Sequence, residues 1–145
     1  MHFARVSSLV VFAFAITACS SSSTGSKAGP VVDDYNVPDT VSVSTVQTTT
    51  GPQQAYLLSG NLDFHDDTEN VASFTAHIVP PPANFADTTV PIPTPPGPIA
   101  KGPVQAEIAL PASEFQTGQV INYQVSVTSV SGIISAPLSK TVTLQ

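Results

Sequence analysis

The chain has one cysteine, one methionine and no tryptophan in 145 residues, and only four Lys and Arg stand against ten Asp and Glu. A single cysteine rules out an intramolecular disulfide and a cysteine-rich metal site. So few cations leave no basic stripe to neutralise phosphates, which argues against nucleic acid as a partner. The same shortage argues against electrostatic adhesion to anionic lipid. The formal net charge is −6, and it becomes −7 without the first 18 residues, which carry Arg5. Charged residues make up 10% of the chain, against roughly a quarter in ordinary soluble proteins, so solubility rests on Ser, Thr, Asn and Gln. No G-x-S-x-G elbow, H-E-x-x-H pair or Gly-rich phosphate loop occurs, so the residue patterns that mark common hydrolases and nucleotide enzymes are missing.

What remains is 41% apolar residues, frequent Val and Thr, and 14 prolines. Strong helix formers are scarce and helical periodicity is absent. This is the profile of an all-β protein with proline-marked connections.

The amino-terminal stretch has its own logic. Arg5 lies just before an apolar run of 11 residues, Val6 to Ile16, interrupted only by Ser7 and Ser8. That length suits a secretory signal and falls short of the roughly 20 residues a membrane-spanning helix needs. Ile16-Thr17-Ala18-Cys19 follows, then four serines. This "ITAC" resembles the lipobox of bacterial lipoproteins. The resemblance implies cleavage before Cys19, a diacylglycerol on its thiol and acylation of the new amine. Several acyl chains on one residue hold a protein to a bilayer where one chain does so only marginally. In the resembling family an aspartate after the cysteine favours the inner membrane. Ser20 stands there, so the expected destination is the outer membrane.

Three segments are therefore expected: a lipoprotein signal over 1–18, a lipidated Cys19 with a flexible Ser/Gly linker over 19–37, and one β domain over 38–145. A coil of some 18 residues between anchor and domain would reach roughly 20–25 Å.

Within the domain, two-residue alternation predicts the strands. A first strand starts at Thr40, with Val41 and Val43 on one face. The next directs Tyr56, Leu58, Gly60, Leu62 and Phe64 inward, and a third does the same with Ala72, Phe74, Ala76 and Ile78. Residues 80–103 hold nine prolines and cannot form a central strand. They are expected to make a stiff crossover, with an edge strand near Thr88 to Ile92. Val104, Ala106, Ile108 and Leu110 define another strand, then Ile121, Tyr123, Val125 and Val127, and a last strand follows the Ser131-Gly132 turn. About seven strands in this length suggest a Greek-key β-sandwich.

The closing residues, from Leu110 to Leu144, are similar to the final strands of fibronectin type III and related immunoglobulin-like domains. The similar features are the Thr117-Gly118 turn, Tyr123 alternating with Val125 and Val127, the Gly132 hairpin, and Pro137 near the last strand. The resemblance implies that Tyr123 is buried with its hydroxyl bonded to backbone. Tyr35, by contrast, falls within the expected linker. Leu62 or Phe64 would fill the place of that family's core tryptophan. A transthyretin-like sandwich is the rival architecture.

The densest polar cluster is Asp63, His65, Asp66, Asp67 and Glu69. Its spacing fits no EF-hand loop, and it reads as a solvated acidic turn, with calcium as the alternative. His77 falls on an outward face. Pro91 to Pro98 reads as crossover, with a polyproline ligand for an aromatic groove as the alternative. Neither a cofactor nor a catalytic residue is assigned. The expected function is that of a non-catalytic envelope lipoprotein, held to the membrane through lipid on Cys19 and binding or scaffolding a protein partner. A hydrolase or carbohydrate-active accessory protein and a calcium-stabilised surface adhesin are the alternatives.

Overall fold

The computed structural model describes residues 28–93 and 96–145. The expected signal, Cys19 and the first part of the linker lie outside the described residues. Nine strands follow in order: β1 (Val31–Asn36), β2 (Thr40–Val41), β3 (Val43–Thr48), β4 (Gly51–His65), β5 (Val71–Val79), β6 (Thr88–Pro91), β7 (Val104–Pro111), β8 (Val120–Ser129) and β9 (Leu138–Leu144). The protein is all-β, and the strands form two sheets packed face to face.

The first sheet is organised around the 15-residue β4. Along one edge β4 pairs with β3 and then β1, and along the other with β7, all antiparallel. The second sheet runs β2-β9-β8-β5-β6, with β2 parallel to β9 and the other pairs antiparallel. Inward residues of β4 and β7, including Leu58, Leu62, Phe64, Ile108 and Leu110, meet Phe74, Ile78, Tyr123, Val125, Val127 and Leu144 of the second sheet. Burying each such side chain contributes about 1.5–3 kcal/mol, so this layer is the main source of stability. The inward sets expected for β4, β7 and β8 are all buried.

Three departures from simple alternation occur. The first strand expected from Thr40 is broken at Ser42, because the chain changes sheets there. Val41 pairs with Leu144 in the second sheet while Val43 pairs with Tyr56 in the first, so Val41 is buried and Val43 exposed. In β5 a register shift between Val71 and Ser73 inserts one extra residue. Val71 is consequently inside, and Ala72, expected inside, is only partly covered.

The largest correction concerns the linker. Residues 31–36, expected to be tether, form β1 and pair with residues 61–65 of β4. A register shift between Val32 and Asp34 makes Asp33 the extra residue, and both Val32 and Tyr35 then face the core. Gly60 makes this close docking possible: a Cβ there would stand 1.9 Å from the Asn36 carbonyl oxygen. The domain therefore begins before Pro38.

The proline-rich segment behaves as a crossover. Pro91 closes β6 opposite Ser73, Ile92 enters the core, and Phe85 stacks edge to face on Phe115 with ring centroids 5.3 Å apart. The segment returns to the first sheet through Ile99, bridged to Val71, and Lys101, bridged to His65.

Candidate functional site

The chain enters the sandwich at one end, called here the near end. Val31 stands beside His65, the β4–β5 turn follows, and Val71 stands beside Ser129. The acidic cluster occupies this end. Asp66 is only 3% exposed. Its Oδ1 accepts from the Thr68 amide at 2.9 Å, the Thr68 hydroxyl at 2.8 Å and the Glu69 amide at 3.3 Å. Its own amide donates to the Ala100 carbonyl at 2.7 Å. Burial pushes its pKa up, but the Thr68 and Glu69 donors outweigh burial and hold the carboxyl below its ordinary value. Asp66 is thus the organiser of the turn, an Asp side chain bonding backbone two and three residues on. Its Oδ2 is buried without a hydrogen-bond partner.

The other members of the cluster are engaged elsewhere. His65 Nδ1 lies 2.8 Å from Asp33 Oδ2, and that bond and charge raise its pKa. Glu69 accepts from the Ser131 hydroxyl. Asp63 stands opposite Asp34. Among the described residues no three His, Cys, Asp or Glu side chains gather as metal ligands. The arrangement ties turn, β1 and the β8–β9 loop together, which is structural chemistry.

The middle of the sandwich holds two polar features in the core. Tyr35 is 1% exposed; its hydroxyl lies 2.5 Å from the Leu58 carbonyl, to which it donates, and 3.3 Å from that of Ala106. Burial raises its pKa strongly. Its ring meets Tyr123 edge to face at 6.3 Å. Tyr123 is buried as expected, but among the described residues its hydroxyl has no backbone partner. Burial first, and the charge of Asp34 second, push its pKa up to about 12. The backbone bond assigned to Tyr123 belongs instead to Tyr35, because β1 rather than a corner loop crosses in front of the β4 and β7 carbonyls.

Beside these rings, Lys140 of β9 reaches Asp34 of β1 at 2.5 Å. Lys140 sits in the inward phase of β9, between Leu138 and Val142, and pins the second sheet to the first along the open side. The lysine bond, aided by the Tyr35 amide, holds Asp34 below its ordinary carboxyl value. Tyr35 was expected in the tether, and the Lys140–Asp34 pair was not anticipated from the sequence. A lysine in an inward position of a strand was the available signal.

The outer face of the second sheet carries an open groove of about 500 Å³, lined by Asp39, Val79, Asn122, Gln124, Ser139 and Thr141 among others. Its lining, which also includes Tyr123 and Lys140, is about equally polar and apolar. On the same sheet His77 lies 2.5 Å from Asp87 on the outward side, as its phase suggested. At the sheet margins, β6 pairs only with β5 and β7 only with β4 among the described residues. Each leaves one row of backbone donors and acceptors open to an added strand. Comparison with protein-family models, with curated proteins and with solved structures found no match to the chain.

Proposed function

We propose that the protein is a membrane-anchored, non-catalytic envelope lipoprotein whose immunoglobulin-like Greek-key sandwich acts as a binding or scaffolding module. The observation that carries the reading is Ile16-Thr17-Ala18-Cys19, placed directly after an 11-residue apolar run and ten residues before Gly29, where the chain reaches the sandwich. The Ser20 that follows supports the outer membrane as the destination.

The strand order supports the immunoglobulin-like assignment. A three-strand-wide sheet with β4 between β1 and β7 faces a sheet in which β8 lies between β9 and β5. The first described strands also touch both sheets, β1 in one and β2, parallel to the last strand, in the other. Open edges at β6 and β7 support a binding role, because strand addition uses such edges. The engagement of Asp66, Asp34, Lys140 and Tyr35 in internal bonds fits a scaffold better than a hydrolase.

Replacing Cys19 with Ala tests the anchor. The wild-type chain should partition with membranes, and the variant should appear soluble or unprocessed. Mass spectrometry of the native amino-terminal peptide should show acyl mass on Cys19; an unmodified thiol there would refute the reading.

A further inference from the structure

Seven large apolar side chains are exposed among the described residues, and four of them, Val31, Val130, Ile133 and Ile134, belong to the near end. The last three occupy one tight loop between β8 and β9, and Ile134 is 66% exposed. Isolated exposed apolar residues are ordinary, whereas a cluster at one tip marks a contact surface.

This loop is held rigidly. The Ser129 amide donates to the Ile133 carbonyl at 2.9 Å, and the Ile133 amide donates to the Ser129 hydroxyl at 3.0 Å. The Gly132 amide closes the turn onto the Ser129 carbonyl at 3.0 Å, with Gly132 at φ +90°. The Val130 amide is fixed to the Asn70 carbonyl at 2.8 Å, and the Ser135 hydroxyl accepts from the Val127 amide at 3.0 Å. Val130, Ile133 and Ile134 are therefore presented by a braced turn, and little further ordering is needed when they are covered.

The entry of the chain indicates what covers them. Gly29 lies against Ile133, so closely that a Cβ on Gly29 would stand 3.0 Å from its Cγ2. Cys19 is ten residues upstream, and ten residues span at most about 33–36 Å when fully extended. The 15 residues of β4 alone extend about 50 Å, from the far hairpin at Thr48–Gly51 to the near end. An anchor on Cys19 thus holds the near end, and the loop beside Gly29, closest to the bilayer.

We infer that Val130, Ile133 and Ile134, with Val31, seat in the headgroup layer of the membrane that carries Cys19 and set the domain upright on it. The inference rests on the anchoring reading above. Asp33, Asp67 and Glu69 belong to this end. Against them stand Lys101 among the described residues and Lys27, two residues before Gly29 in the sequence, so carboxylates outnumber cations there. The contact is therefore with neutral lipid through apolar burial, as for interfacial segments, and anionic lipid should not strengthen it.

The absence of tryptophan allows a direct test on the full acylated chain in phosphatidylcholine vesicles. One indole is introduced at a time by Ile134→Trp, Val130→Trp or, at the exposed far hairpin, Thr49→Trp. The near-end indoles should emit at shorter wavelength than the far one. Only they should lose intensity when the lipid carries brominated acyl chains. Adding phosphatidylglycerol should not increase either effect. Adding Ile133→Ser to Ile134→Trp should weaken both effects while the chain still floats with the vesicles. Near-end emission equal to that of Thr49→Trp on floating chains overturns the inference and leaves the anchor intact. A blue shift without bromolipid quenching also overturns it, since protein rather than lipid then covers the loop. A chain that fails to float overturns the anchoring reading, and this inference with it.

Discussion

Two strands bring a tyrosine to the same point of the core from opposite sheets, and they use it differently. On β8, Tyr123 follows strict alternation with Ile121, Val125 and Val127, and its contribution is packing. On β1, Tyr35 arrives after a bulge, and its hydroxyl joins β1 to the carbonyls of β4 and β7. The comparison teaches that the regular strand builds the layer, while the irregular one locks the chain entry onto it. A short strand at a sheet edge has few ladder bonds, so one buried side chain carries a large share of its attachment.

The largest test of this contrast is truncation of each ring. Tyr35→Ala and Tyr123→Ala should each cost about 3–5 kcal/mol in urea unfolding, as for other buried aromatics. The β1 variant should show the larger loss, because it also leaves the Leu58 carbonyl without that donor. A loss below about 1 kcal/mol at Tyr35, the range of surface changes, would mean that β1 is not part of the folded domain. Next in size is Gly60→Ala, which places a methyl group where the Asn36 carbonyl lies. It should cost about 1–3 kcal/mol by overpacking, and amide exchange should show β1 loosening while β8 remains protected.

A finer separation comes from removing the hydroxyls alone. Tyr35→Phe should cost about 0.5–1.5 kcal/mol for a lost hydrogen bond, and Tyr123→Phe should be close to neutral. Equal losses would erase the distinction drawn here.

The smallest effect belongs to the Lys140–Asp34 pair. Both side chains are at least a third exposed, so Lys140→Met should cost no more than about 1 kcal/mol. Asp34 has a lowered folded pKa. Its contribution is therefore present above the unfolded value of about 3.8 and fades as pH falls through the lower folded value. Melting temperatures of wild type and Lys140→Met should differ at neutral pH and converge in strong acid.

Legibility in the sequence followed the same divide. The β4, β7 and β8 faces were readable because each keeps period two across many residues and faces one core. The β1 strand was not, because Val32 and Tyr35 are three apart and face the core together only across the bulge at Asp33. Its neighbourhood in sequence, Ser20 to Pro30, also has linker composition. The same kind of bulge moved Val71 inside in place of Ala72. At the near end the acidic cluster was visible as composition. Its division into a turn organiser, a histidine partner and a loop anchor depends on β1 and residues 129–131, both distant in sequence. The apolar tip was hidden too, since Ile133 and Ile134 resemble the start of a buried strand until the turn bonds hold them outward.

The direction in which β1 leaves the sandwich has a mechanical meaning. Tension applied upstream of Val31 draws the strand lengthwise out of the near end. The ladder bonds to β4 lie across the strand, so the pairs from Val31–His65 to Asn36–Asn61 share the load together in shear. They are not peeled apart one after another. At the inner end of the strand, the Tyr35 ring and the Asn36 backbone wedged over Gly60 must be dragged through the core before the chain can slip. The point of attachment is thereby built as a grip that resists pulling along its own axis.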